Sequence, residues 1–168
     1  MADRRRRVRA AMRFDFSPEG KLIGRTSKYV CDFYSAVLAD PDASARVMLA
    51  AHELLENAAK YATGGRALLR FSTRLDGDHA LVNLSLINDT SAGHIDQLRQ
   101  RVNAIVNAPD AFMHYQQLML APARSPGESG LGLARIAAEA EMQLGLEVKA
   151  NTVAIMATAK VDMGARYR

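Results

Sequence analysis

Residues 51–61 read AHELLENAAKY, and residues 127–133 read GESGLGL. The first stretch predicts a helix on which Glu53, Asn57 and Lys60 are spaced i, i+4 and i+7 and therefore share one face. That face carries a carboxylate, an amide oxygen and a cation. The second stretch is typical of a loop that opens into a helix and holds phosphate on its backbone N–H groups. Together they favour a site for a Mg²⁺-bound nucleoside triphosphate.

Each stretch also has an ordinary structural interpretation. A glutamate and an asparagine one turn apart are common on a solvated helix face, and Glu56 and Lys60 form a simple i,i+4 ion pair. Gly130 and Gly132 would fit a tight loop before any helix. Each motif alone is therefore weak evidence, whereas the two motifs in this order are more specific.

The composition indicates one folded domain. The chain has 168 residues, 49% of them hydrophobic, which is enough to bury a core and is unlike a disordered composition. Cys31 is the only cysteine, so no intrachain disulfide can form. No apolar run approaches the roughly 20 residues of a membrane span, and the N-terminal arginines do not lead into a signal peptide. We therefore expect a reducing, cytoplasmic location and no membrane partner.

The formal net charge of +4 has its excess at the N-terminus, where residues 4–9 read RRRRVR. We expect residues 1–10 to form a disordered, solvated basic arm. The alternative is an arm that binds nucleic acid or an acidic partner. The sequence has no zinc-ligand spacing, and its aromatic residues do not interleave with basic ones, so we do not expect a nucleic-acid partner.

Hydrophobic periodicity predicts the remaining elements. Apolar residues at helical spacing predict helices at about 22–38, 44–62, 93–106 and 131–142. Alternation predicts strands at about 12–16, 66–75, 80–87, 144–148 and 153–161. We expect Asp42 or Ser44 to cap the second helix, a hairpin turn at 76–78, and a lid at about 107–129 with one short helix. Residues 11–168 would then form a single α+β domain, a two-layer sandwich with helices on one face of a mixed, mostly antiparallel sheet.

This element order, together with the two motifs, resembles the GHKL (Bergerat-fold) ATPase and kinase superfamily over roughly residues 10–162. Residues 52–62 look like the N box of that family, and residues 127–133 look like its second glycine box. The resemblance implies a Bergerat fold that binds ATP and Mg²⁺. The stand-alone anti-sigma-factor serine kinases are the members most similar in size and in the strand and helix that precede the N box.

The resemblance implies a role for each matching residue. Asn57 would ligate the Mg²⁺, Glu53 would be the catalytic carboxylate that activates the attacking hydroxyl or water, and Lys60 would face phosphate oxygens. Asp89 would match the aspartate of the first glycine box, which accepts a hydrogen bond from the adenine amino group. The other cofactor-binding residues would be Gly93, Gly127, Ser129, Gly130, Leu131 and Gly132.

Two positions depart from the family pattern. The first glycine box is usually Asp-x-Gly-x-Gly, whereas residues 89–93 read DTSAG, so Ser91 replaces the first glycine. Glu128 stands where many kinases have glycine. An acidic side chain beside a triphosphate would repel it unless the side chain turns outward.

The resemblance implies a bacterial switch kinase, an enzyme that transfers the γ-phosphate of ATP to a serine or threonine of a small partner protein. Such a partner would be a STAS-like antagonist or a sigma-type regulator, and a homodimer is a further expectation. The alternative is a non-catalytic nucleotide-binding interaction module. The altered first glycine box favours this alternative.

Overall fold

The computed structural model describes residues 8–121 and 130–163. In this part of the chain the elements follow one another in the order that periodicity predicts. They are β1 (Val8–Phe16), α1 (Gly20–Leu38), α2 (Pro41–Tyr61), β2 (Ala67–Asp76), β3 (His79–Asp89), α3 (Ala92–Val106), α4 (Ala111–Leu120), α5 (Leu131–Ala138), β4 (Gln143–Lys149) and β5 (Thr152–Asp162).

The five strands form one sheet in the order β1-β2-β3-β5-β4. Each neighbouring pair is antiparallel, so the described sheet contains no parallel pair. The predicted hairpin joins β2 to β3, with Asp76 opposite His79 and Gly77 at a φ of +64°. A positive φ at this turn favours glycine because it has no Cβ.

One face of the sheet packs against the helices. In β3, Val82, Leu84 and Leu86 are fully buried, whereas Asn83 and Ser85 point to the other face and are half-buried. This alternation follows from the two-residue period of a strand. The molecule is therefore a two-layer α+β sandwich, and this predicted fold class is confirmed.

The first turn of α2 differs from the prediction. Pro41 is the first helical residue, and the carboxylate of Asp40 accepts a hydrogen bond of 3.0 Å from the Ala43 N–H. Asp40 is therefore the N-cap, and the prediction of Asp42 or Ser44 was wrong. The reason is that proline suits the first helical position, where its missing N–H costs nothing, and so places the cap at the residue before it.

One further boundary differs from expectation, and the short helix expected within the lid is present. β1 begins at Val8, so the last three residues of the expected arm belong to the sheet, where Val8 pairs with Arg74 and Ala10 pairs with Thr73. Residues 1–7 lie outside the described residues. Within the expected lid, α4 is a regular helix, and its Tyr115 is buried. Residues 122–129, the rest of that segment, are not described.

None of the helices in the described part of the chain combines the length and the hydropathy that crossing a bilayer requires.

Candidate functional site

The α2 face predicted from the sequence lies beside the start of α5. Glu53, Asn57 and Lys60 border a cleft of about 60 Å³ together with the N-terminal residues of α5. The complete lining is Glu53, Glu56, Asn57, Lys60, Tyr61, Arg101, Gly130, Leu131, Gly132 and Leu133. The structure therefore brings together the two stretches that the sequence singles out.

Gly130 and Gly132 are both required by local geometry. Gly130 is the N-cap of α5 and has a φ of +64°, a conformation that side chains with a Cβ rarely adopt. A Cβ added at Gly132 would lie 2.5 Å from the Oε2 atom of Glu53. The second glycine box thus allows the helix backbone to approach the carboxylate on α2. The predicted site residues Gly127 and Ser129, and the nearby Glu128, lie outside the described residues.

Glu53 is paired with an arginine that the sequence did not single out. Its side chain is 10% exposed, and its Oε1 accepts a 3.1 Å hydrogen bond from Arg135 Nη1. Arg135 Nε also donates to Glu139 at 2.7 Å. Tyr115 of α4 borders the same cluster, and burial, followed by the charge of Glu139, raises the pKa of its hydroxyl. Arg135 therefore links the predicted catalytic carboxylate to the helix that follows the glycine box.

Lys60 keeps a partner of its own within the cleft. Its side chain is 54% exposed, and Nζ lies 3.3 Å from Glu56 Oε2, which forms the i,i+4 pair noted in the sequence. Glu56 also lies 3.5 Å from His52. A more than half-exposed ammonium group of this kind can turn toward an incoming anion at small cost, because exposed ion pairs contribute little stability.

The first glycine box lies at the end of β3, beyond the C-terminal end of α2. The Asp89 carboxylate accepts a 2.5 Å hydrogen bond from the Thr152 hydroxyl, and a Cβ at Gly64 would lie 3.2 Å from it. Asp89 does not line the cleft around Asn57. Ser91 has a structural role, because its hydroxyl caps α3 by accepting a hydrogen bond from the His94 N–H at 3.3 Å.

Gly93 differs from Gly132 in its surroundings. It lies in the first turn of α3, its φ is not positive, and a Cβ there would meet no described atom within 4 Å. Neither packing nor backbone conformation in the described structure therefore requires glycine at this position.

Arg101 is a second cleft residue that sequence reasoning missed. It comes from α3, lines the cleft, and its side chain packs against Gly130, where an added Cβ would lie 3.1 Å from its Cδ. Lys60 and Arg101 are the two cations of the described lining, where they stand beside the carboxylates of Glu53 and Glu56. These two cations would face an anionic ligand.

Tyr61, which lines the cleft, stacks on His94 of α3. The rings of Tyr61 and His94 lie 3.8 Å apart at an angle of 16°. His94 is buried, and neither ring nitrogen has a hydrogen-bond partner among the described residues. Burial, and then the positive charge of Arg101, lowers the pKa of His94 from its ordinary 6.5, with Gln97 opposing part of the shift. The neutral imidazole is therefore the form that the folded state favours.

This shift predicts how stability depends on pH. Below about pH 6.5 the unfolded state binds more protons at this histidine than the folded state does, so acidification reduces the free energy of unfolding. His94→Phe retains a ring against Tyr61 but cannot titrate. We expect the variant to lose less stability than the wild type between about pH 8 and about pH 5, measured by urea unfolding. Equal losses in both proteins would contradict the assignment.

No protein-family model and no curated protein sequence matches the chain. A chain in the crystal structure of the SiaB–SiaC complex from Pseudomonas aeruginosa is similar in fold. The two have a TM-score of 0.65 and 21% sequence identity, over 92% of this chain and 91% of that one. A likeness at this level of identity concerns the fold.

Proposed function

We propose that this chain is a regulatory protein that binds Mg-ATP and transfers the γ-phosphate to a serine or threonine of a small partner protein. The observation that carries the proposal is the cleft itself. Glu53 and Asn57 of α2, which lie far from α5 in the sequence, meet Gly132 at its N-terminus. Phosphoryl transfer requires mainly positioning and neutralisation of charge, and these residues, with Lys60, offer both.

A nucleotide would lie along α2. The cleft of about 60 Å³ is smaller than the roughly 300–1,000 Å³ of pockets that enclose whole ligands, so it suits the phosphate end. Asp89 and Thr152 lie just beyond the C-terminal end of α2, beside Gly64. Residues 53–62 span roughly 14 Å at about 1.5 Å per residue. That length is comparable with an extended nucleoside triphosphate, which supports a role for Asp89 as the acceptor of a hydrogen bond from the base.

The donor set near Asn57 fits a magnesium ion that is shared with phosphates. Asn57, Glu53 and Glu56 supply oxygen atoms, which are the ligands that Mg²⁺ prefers. The described residues contain no group of three or more His, Cys, Asp or Glu side chains able to hold a metal without help. Mg²⁺ at Asn57 would therefore take its other ligands from phosphate and water, as is usual for this ion. When bound, it would neutralise charge on the triphosphate.

Support for a protein partner comes from the structural comparison. The similar chain belongs to a complex of two proteins, and a switch kinase of the expected kind also acts on a small partner. We include a partner of this type, a STAS-like antagonist or a sigma-type regulator, in the proposal.

A second candidate function is a non-catalytic nucleotide-binding module. The observation that favours it is the pair between Glu53 and Arg135, with 3.1 Å between Oε1 and Nη1. Because Oε1 already accepts a hydrogen bond from Arg135, it is less available to a substrate hydroxyl. In this case the cleft would bind Mg-ATP and the partner would respond to the bound state alone.

Binding to Mg-ATP tests the part that both candidates share. We expect calorimetric titration of the full chain to detect ATP binding that weakens when EDTA removes Mg²⁺. Asn57→Ala should weaken Mg-ATP binding by about 10- to 100-fold, because interactions with charged groups contribute about 1.5–3 kcal/mol and each 1.4 kcal/mol is tenfold.

Asn103→Ala is the matched control, since Asn103 is an exposed asparagine of α3 that does not line the cleft. The Asn103→Ala variant should bind Mg-ATP with the affinity of the wild type. An unchanged affinity in the Asn57 variant, or no heat of binding in the wild type, would overturn the assignment of this cleft.

A further inference from the structure

A groove lies between α3 and β4, apart from the nucleotide cleft. Its volume is about 580 Å³. One wall is formed by α3 residues spaced three or four apart, so that they share one helix face. The other wall is formed by β4. The walls include Arg99, Val102 and Val106 of α3 and Leu144 and Leu146 of β4.

Among the strands that the structure describes, β4 is the last of the sheet, so one of its edges has no described neighbour. Its backbone pairs with β5 across residues 143–149. Within the described structure, no hydrogen bond outside that ladder involves the backbone of these residues. An edge strand of this kind presents N–H and C=O groups that can pair with an added strand.

The groove combines apolar walls with positive charge. Val106 is 57% exposed, which is unusual for a large apolar side chain, while Val102 beneath it is buried. Leu144 and Leu146 are half-buried on the opposite wall. Arg99 is the charged residue among those that line the groove. The surface therefore suits a segment with apolar side chains at alternate positions and an acidic residue near Arg99.

We propose that this groove binds an extended acidic and apolar segment of a partner protein, which adds as a strand to the free edge of β4. Main-chain pairing supplies affinity, and the side chains that point toward Val102 and Val106 supply specificity. Arg101 lies on the other side of α3 and lines the cleft. A bound segment is thus anchored beside the cleft without entering it. The inference goes beyond the proposed function because it requires neither nucleotide nor transfer.

A random-peptide display library panned against the full-length protein provides the probe. We expect the recovered peptides to alternate apolar residues and to contain an acidic residue. Val106→Glu should weaken their binding at least about tenfold in fluorescence anisotropy, a change of about 1.4 kcal/mol. Ala104→Glu adds the same charge at an exposed position of α3 that does not line the groove, and it should leave binding unchanged.

Arg99→Glu is a second variant on the same wall, and because Arg99 is exposed it leaves the core intact. This variant should also weaken binding of the acidic peptides at least about tenfold. Methylation of alternate peptide N–H groups tests the strand geometry: methylating the set that faces β4 should abolish binding, and methylating the other set should not.

Three results would overturn the proposal: no recovered peptide, equal binding to the wild type and both groove variants, or competition of the peptide with Mg-ATP for one site. The same titrations run without nucleotide separate this inference from the proposed function. Peptide binding with no ATP binding would support the peptide groove and contradict the proposed kinase function. ATP binding with no peptide binding would contradict the peptide groove and leave the nucleotide cleft supported.

Discussion

Glu53→Gln is expected to lower phosphoryl transfer to the partner by about 100- to 10,000-fold, the usual contribution of a general base. Glutamine retains the size of the side chain and can still accept a hydrogen bond from Arg135, but it cannot take up a proton. Mg-ATP affinity should therefore change little. The measurement is transfer from γ-labelled ATP to a partner captured from the native cell, alongside calorimetry with Mg-ATP.

Glu56→Gln is the matched control, since Glu56 lines the same cleft only three residues away and pairs with Lys60. It should reduce transfer far less than the change at Glu53. If both glutamine variants transfer as fast as the wild type, neither carboxylate is the general base, and the assignment of Glu53 as the catalytic residue fails. If even the wild type transfers nothing, the non-catalytic module is favoured.

The pairing of Glu53 with Arg135 has a consequence for this experiment. Arg135 already has a second acidic partner, since its Nε donates to Glu139 at 2.7 Å. A bound triphosphate would attract the guanidinium, and Glu139 would retain it when it leaves Glu53. In this way ligand binding would free the carboxylate for proton transfer. Without such a release, Glu53 is a structural link between α2 and α5.

The meeting of the two motifs was predictable from sequence because each carries its own local signal. Helical spacing predicts which residues share a face of α2, and Gly130 and Gly132 indicate a loop that leads into a helix. Their closeness in space came from the resemblance, which implied a shared ligand. The structure agrees in placing Gly132 against Glu53.

The arginines of the site were not predictable in the same way. Arg135 follows Gly132 by three residues, so helical spacing places both on one side of α5, and this is the one signal that could have identified it. Arg101 belongs to α3, a helix whose approach to Gly130 depends on tertiary packing. Periodicity specifies which face of a helix is buried, but not which loop that helix will meet.

The element ends were missed for a related reason. β1 extends back to Val8 because β2 offers it partners as far as Arg74, and a strand partner leaves no trace in the local alternation of side chains. The capping of α3 by Ser91 is visible only once the first helical residue is known. Local patterns thus predicted the type and order of elements better than their ends.

Gly132→Ala is expected to destabilise the fold, whereas Gly93→Ala should stabilise it. The new Cβ at residue 132 would lie 2.5 Å from Glu53 Oε2, so the carboxylate would have to move and give up its hydrogen bond to Arg135, at a cost of about 1–3 kcal/mol. The Cβ at residue 93 meets open space within α3, where alanine is favoured over glycine by roughly 0.5–1 kcal/mol. Urea unfolding measures both. If Gly93 contacts the bound nucleotide, Gly93→Ala will lower the affinity for ATP while it raises the stability of the fold.

A double-mutant cycle identifies the cause of the loss at residue 132. Glu53→Ala removes the carboxylate with which the new methyl group collides, so in that background Gly132→Ala should become neutral or stabilising. The coupling between the two sites should reach about 1 kcal/mol or more, as contacting residues typically show. Additive changes would mean that the carboxylate and the glycine do not touch. The first turn of α5 would then lie too far from Glu53 for the two to share a phosphate.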